Sequence, residues 1–212
     1  MIISRHSYSF LELLVKMSPE KFVSSHVWRA RMKTYFKLMD VDKNGVLTLS
    51  DFEEIANRLI QLQNDSSKNE EIREMCHSLF QYFMAGGGPV DSNTRISEED
   101  LIINVAKTVS LSLAESPDKI YEVGRHKNEL FFDIIDTDHS GEISREEYRK
   151  YLAVYTGEEK SDNADQAFDS IDSDGSGSIS REEFVEAHIH YWFDIGGDKD
   201  NSPLPYGKLV TS

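Results

Sequence analysis

Three twelve-residue segments place oxygen-bearing side chains at recurring positions: DVDKNGVLTLSD (40–51), DTDHSGEISREE (136–147) and DSDGSGSISREE (172–183). In 136–147, Asp136, Asp138 and Ser140 offer side-chain oxygens, Glu142 offers its backbone carbonyl, Ser144 acts through water, and Glu147 can close the set with two oxygens. The same positions in 172–183 hold Asp172, Asp174, Ser176, the Ser178 carbonyl, Ser180 and Glu183. In 40–51 they hold Asp40, Asp42, Asn44, the Val46 carbonyl, Thr48 and Asp51. Glycine at the sixth position permits a sharp turn, and Ile143 and Ile179 at the eighth are placed for a short strand contact between paired loops. So many hard oxygen donors suit calcium, which takes six to eight of them.

The first segment differs at its twelfth residue. Asp51 is one methylene shorter than glutamate, so unless the backbone moves inward it binds through one oxygen. A lower coordination number favours magnesium in relative terms, because magnesium takes six ligands in a small octahedron. Calcium and magnesium therefore compete at 40–51. Other chemistries find no support: no histidine and cysteine cluster has tetrahedral-site spacing, and no glycine-rich stretch carries the lysine and hydroxyl residue of a phosphate loop.

These loops need helices on either side to position them. Before Asp40, residues Val27, Trp28, Met32, Tyr35, Phe36 and Met39 recur at steps of three and four, and Phe52, Ile55, Ala56 and Leu59 continue such a face after it. Similar stripes flank the other two loops. A fourth unit belongs between the first and third, with EIREMCHSLFQYFM and EEDLIINVAKTVSLSL as its helices. Aligning Ile96 with the apolar loop position frames its loop at about 89–100. Pro89 then stands first and Thr94 sixth, which spoils both the donor set and the turn. The expectation is a structural partner loop that holds no metal.

At 212 residues and 39% hydrophobic content, the chain can bury a sizeable core. Its formal charge of -15 argues against nonspecific attraction to nucleic acid or acidic lipid. Three divalent cations would bring that value to about -9. Cys76 is the single cysteine, which excludes an internal disulfide and fits a reducing compartment. No apolar run approaches the length of about 18 residues that a membrane span needs. The opening MIISRHSYSFLELLVKM reads as an amphipathic helix or frayed extension rather than a targeting segment.

The stretch VWRARMKTYFKLMDVDKNGVLTLSDFE (27–53) closely resembles the first unit of the invertebrate sarcoplasmic calcium-binding proteins. The resemblance covers about 185 residues and implies an all-α fold of four EF-hand helix-loop-helix units in two pairs, compact, with the second loop degenerate. The implied division is an N-terminal extension (1–20), a first pair (21–112), a second pair (118–195) and a tail (196–212) packed on the body. It also implies a cytoplasmic calcium and magnesium buffer with no enzymatic activity, binding about three ions. No nucleic acid or integral membrane is expected as a partner.

Two alternatives remain open. The tail also resembles that of calexcitin, a calcium sensor that acts on a target protein. The coelenterazine-binding photoproteins share the architecture, and there Trp28, His188, Trp192 and Tyr206 fall where that group has cavity residues. Met32 stands where that pattern has a histidine, and the terminal glycine pair and proline are absent. These five residues are thus a candidate ligand cavity, or ordinary core and tail packing with His188 hydrogen-bonded to the tail.

Overall fold

The computed structural model describes residues 17–63, 65–157, 161–196 and 203–209. Residues 1–16 of the expected extension and parts of the tail lie outside them. Helices dominate: α1 (Pro19–Ser24), α2 (His26–Met39), α3 (Leu49–Leu62), α4 (Asn69–Ser78), α5 (Glu98–Glu115), α6 (Pro117–Ile135), α7 (Arg145–Thr156), α8 (Ser161–Ile171) and α9 (Arg181–Phe193). A π-helical turn over Leu79–Met84 extends α4, and two short strands, β1 (Glu142–Ser144) and β2 (Ser178–Ser180), join the third and fourth loops.

The outgoing helices start where the sequence supplies a hydroxyl and, three residues later, a carboxylate. Such a pair satisfies two of the N–H groups that a helix start leaves unpaired. At α7 the Ser144 Oγ accepts from the Glu147 N–H while the Ser144 N–H donates to Glu147 Oε2 at 2.9 Å. Ser180 with Glu183 repeats this at α9, and Ser97 with Asp100 at α5. At α3 the Thr48 N–H and hydroxyl both donate to Asp51 Oδ2. The second loop therefore keeps the helix-starting signal although it has lost the donors at its beginning.

Loop pairing follows the apolar eighth position. Ile143 stands opposite Ile179 in the antiparallel β1–β2 ladder. Leu47 and Ile96 exchange both backbone hydrogen bonds, at 2.8 and 3.0 Å. All four side chains are buried. Four helix-loop-helix units thus form two pairs.

The second pair is tied together reciprocally. Arg145, just after the third loop's strand, reaches Asp169 at 2.6 Å and stacks over Phe168 on the helix entering the fourth loop. Arg181, its counterpart after the fourth loop, reaches Asp133 at 2.7 Å and stacks over Phe132 on the helix entering the third. The corresponding positions in the first pair are Leu49 and Glu98, so this exchange cannot form there. Lys33 and Arg29 of α2 meet Glu98 and Glu99 instead.

The two pairs meet where α2 reaches the C-terminal end of α9. Carbonyls at a helix end lack partners within the helix. Here the Trp28 indole N–H donates to Trp192 O at 2.9 Å, Arg31 donates to Asp194 O at 2.6 Å, and the Ser25 hydroxyl donates to Ile195 O. Tyr191 returns a hydrogen bond to Arg31 O at 2.7 Å. Trp28 and Arg31 are fully buried, so this junction is inside the molecule.

The described part of the tail, 203–209, seats on the second pair. Tyr148 donates to Pro205 O at 2.5 Å, Ser170 Oγ accepts from Leu204 N–H, and Asn163 holds both Tyr206 O and the Lys208 N–H. The Tyr206 ring is buried against Tyr155, Tyr191 and Tyr35. Gly207 lies at φ +79°, and a Cβ there would overlap the Asn163 side chain. Gly207→Ala is therefore expected to unseat the tail and destabilise the protein by about 1–3 kcal/mol. Thermal unfolding followed by circular dichroism should show a midpoint lowered by roughly 2–4 °C per kcal/mol; an unchanged midpoint would contradict this seating.

Candidate metal centres

The side chains that the sequence singles out converge in each of the three loops. Carboxylate oxygens of Asp40, Asp42 and Asp51 lie within 4.8 Å of one another, as do those of Asp136, Asp138 and Glu147 and those of Asp172, Asp174 and Glu183. Unit charges this close repel by about 3 kcal/mol per pair at an effective dielectric constant of about 20. A cation among them turns that repulsion into attraction. The donor set is all oxygen, which matches a hard divalent ion.

Backbone N–H groups hold the first carboxylate of each loop facing inward. Asp136 accepts from Ser140 and Gly141, Asp172 from Ser176 and Gly177, and Asp40 from Asn44 and Gly45. The glycine at the sixth position takes φ +87° at Gly141, where a side chain would be strained. The third-position carboxylate then accepts from the residue two further on, Asn44, Ser140 or Ser176. These bonds, led by Ser140 and Ser176, hold the Asp138 and Asp174 carboxyls below the usual range. Of the remaining expected donors, Ser140 and Ser176 hydroxyls bond the Glu142 and Ser178 carbonyls, and Asn44 Oδ1 accepts from the Val46 N–H.

The twelfth-position carboxylate spans the loop. Glu147 takes the Thr137 N–H on one oxygen and the Ser144 N–H on the other, both at 2.9 Å. Glu183 does the same with Ser173 and Ser180, at 3.0 and 2.9 Å. Burial pushes both carboxyls up, yet the hydrogen bonds outweigh it and their pKa values fall below the ordinary one. Each is thus held ionised, as a metal ligand must be.

Asp51 makes the same span, from the Val41 N–H at 3.0 Å to the Thr48 N–H at 2.8 Å. A side chain one methylene shorter bridges the same two groups only if they stand closer to its own backbone. Asp51 thus reaches both ends of the loop with its shorter arm, and it is buried.

Loop 89–100 is built otherwise. Asp91 caps its own turn by accepting from the Asn93 N–H, and the Arg95 guanidinium donates to the Ser92 and Thr94 carbonyls. A fixed cation here sits over the carbonyls of the turn. Among the described residues this loop gathers no cluster of three acidic, histidine or cysteine ligands.

Sequence reasoning missed the residue at the second loop position. Thr137 and Ser173 add hydroxyl donors to the twelfth-position glutamate at 3.0 and 2.9 Å, whereas Val41 contributes its N–H alone. The hydroxyl residues themselves were the available signal. It was overlooked because this position supplies no oxygen to the ion.

Of the five candidate cavity residues, Trp28 meets Trp192 through a hydrogen bond and His188 meets Tyr206 ring to ring, while Trp192 and Tyr206 alone among the five line a cavity. A cavity of about 490 Å³ is lined by Trp192 and Tyr206 among them, together with Tyr35, Phe83, Lys127 and others. Trp28 and Met32 are fully buried in the core and do not line it. His188 is also absent from it: its Nδ1–H donates to Phe184 O at 2.8 Å, and its ring meets Tyr206 edge-on. The hydrogen bond from His188 to the tail does not form, and Nε2 has no hydrogen-bond partner. Burial pushes this imidazole down to about 4, so it is neutral near pH 7.

Comparison with known proteins agrees with the loops. The EF-hand domain pair pattern matches residues 125–189, a second such pattern matches 92–155, and the EF hand pattern matches 32–56. The sarcoplasmic calcium-binding protein of Hediste diversicolor is 31% identical over 136 residues, 61% of this chain and 70% of its own. The luciferin-binding protein of Renilla reniformis is 32% identical over 137 residues, 63% of this chain and 69% of its own. In fold, the coelenterazine-binding protein of Renilla muelleri superposes with a TM-score of 0.59 at 24% identity, covering 98% of this chain and 100% of that one. On its loops, its pairing and these relatives, the chain belongs to the sarcoplasmic calcium-binding protein family of EF-hand proteins.

Proposed function

We propose that this protein is a cytoplasmic buffer that holds three divalent ions, with calcium and magnesium competing most closely at loop 40–51. The observation that carries this reading is the common geometry of the three acidic clusters, each with a twelfth-position carboxylate already held across its loop. A pre-organised site spends less of its binding energy on ordering the chain. The ions would be held by Asp40, Asp42, Asn44, the Val46 carbonyl, Thr48 and Asp51, and by the equivalent donors of the other two loops. Bound cations would neutralise the acidic clusters.

No catalytic step is part of this role. The one thiol, Cys76, is buried, and burial pushes it up to about 12, which makes it a poor nucleophile near neutral pH. Among the described residues no helix is long and apolar enough to cross a membrane.

A second reading, carriage of a small apolar ligand, is favoured by the cavity lined by Trp192 and Tyr206. Its size falls within the range of about 300–1,000 Å³ common for small-molecule sites. Relatives that carry a luciferin or coelenterazine in their names support the same reading. Buffering and carriage are compatible in one chain.

Calorimetric titration of calcium into the metal-free protein should give three sites tighter than roughly micromolar, with at least one weakened by about millimolar magnesium. Two weaker, calcium-specific sites would instead favour a sensor. Asp51→Ala should reduce the calcium stoichiometry from three to two and remove the most magnesium-sensitive site. It should also cost about 1 kcal/mol of stability through the lost cap. Three unchanged sites in that variant would sink the role given to loop 40–51.

A further inference from the structure

The cavity opens between the two EF-hand pairs, and its walls come from both. The widened π turn at Leu79–Met84 brings Leu79, Tyr82 and Phe83 to it, α5 brings Thr108, and α6 and α9 complete it with the tail. Its inner wall is aromatic. Trp192 packs edge-on to Tyr35 with centroids 4.7 Å apart and tilts against Phe83 at 6.0 Å, while Tyr206 closes one side. Aromatic faces arranged in this way suit a flat or extended apolar guest.

The mouth is apolar too. Among the described residues the large exposed hydrophobic side chains are Tyr82, Leu111 and Val123. Tyr82 and Val123 line the cavity, and Leu111 precedes the lining residue Ser112 on α5. Isolated exposed apolar residues are ordinary, but two of these three line this one cavity.

One charge stands out on this lining. Lys127 is half-buried, and its ammonium sits 5.2 Å over the Phe83 ring. Among the described residues it forms no salt bridge. Glu115, the acid on the lining, is exposed and is not within ion-pair distance of it. Burial lowers the Lys127 pKa, the mark of an ammonium that has lost water without gaining a carboxylate.

We propose that this cavity takes a small aromatic or otherwise apolar molecule bearing one acidic group, its hydrocarbon body against Trp192, Tyr35 and Phe83 and its anion paired with Lys127. This rests on the carrier reading and specifies the chemistry of the ligand. An anion would supply the counter-charge that Lys127 lacks, and the aromatic wall would dehydrate the pair and strengthen it. A purely neutral guest would leave the ammonium as it is.

The test uses two fluorescent probes of nearly equal shape, 8-anilino-1-naphthalenesulfonate and its neutral relative N-phenyl-1-naphthylamine, on the full calcium-loaded chain. Both should bind at one site, the sulfonate more tightly. Lys127→Met should weaken the sulfonate by about tenfold, the effect of losing a partly buried ion pair, and leave the neutral probe unchanged. Ser112→Trp, which fills the opening, should abolish both. Calcium stoichiometry measured on each variant reports that the fold is intact. If both probes bind but Lys127→Met affects neither, the cavity is a carrier site without acid recognition, and the present proposal is overturned while carriage stands. If neither probe binds the wild-type protein, both fall.

Discussion

The carboxylate at the twelfth loop position performs two tasks whose geometry is shared. One of its oxygens takes the N–H that starts the outgoing helix, and the other reaches back to the second residue of the loop. The beginning and end of the loop are thereby joined through one side chain, and the inward aspartates are left facing the same point. Without this span the three acids would relieve their mutual repulsion by moving into solvent. Loop 89–100 illustrates the separation of the two tasks. Asp100 still starts α5 with Ser97, but the loop's beginning is held by Asp91 and Arg95.

Asp51 meets the same constraint with a shorter side chain, reaching the corresponding two N–H groups of the first loop. The other two loops add a hydroxyl at the second position to the glutamate and keep the longer arm.

The pairs are held to one another by unrelated means. Donors on α2 and its cap residue Ser25 satisfy the carbonyls of Trp192, Asp194 and Ile195 around the C-terminal end of α9, and Arg31 does so from a fully buried position. A buried guanidinium is costly unless its surroundings supply acceptors, which ties this arginine to the correct docking of the two helices. The same junction holds Trp28 in the core, its indole N–H on the Trp192 carbonyl. On the other side of α9, Trp192 and Tyr206 face the cavity, whose outline depends on the π turn after α4 and on the seated tail.

The amino-acid sequence alone determined what acts within a dozen residues: the oxygen-rich repeats of three loops, the departure of the loop after Pro89 from that pattern, and the placing of Ile143 and Ile179 for a strand contact. These are local matters, because ligand spacing, caps and apolar periodicity act between neighbours in the chain. The tertiary structure decided what depends on where helices distant in sequence come to rest. It placed Trp192 and Tyr206 on the cavity lining with Trp28 and His188 packed behind them, brought Phe83 and Lys127 to the same wall, and matched Arg145 with Asp169 and Arg181 with Asp133. The physical reason is that helical periodicity names the buried face of each helix but not its partner; the partner is chosen by close packing and by the pairing of buried polar groups across the whole molecule.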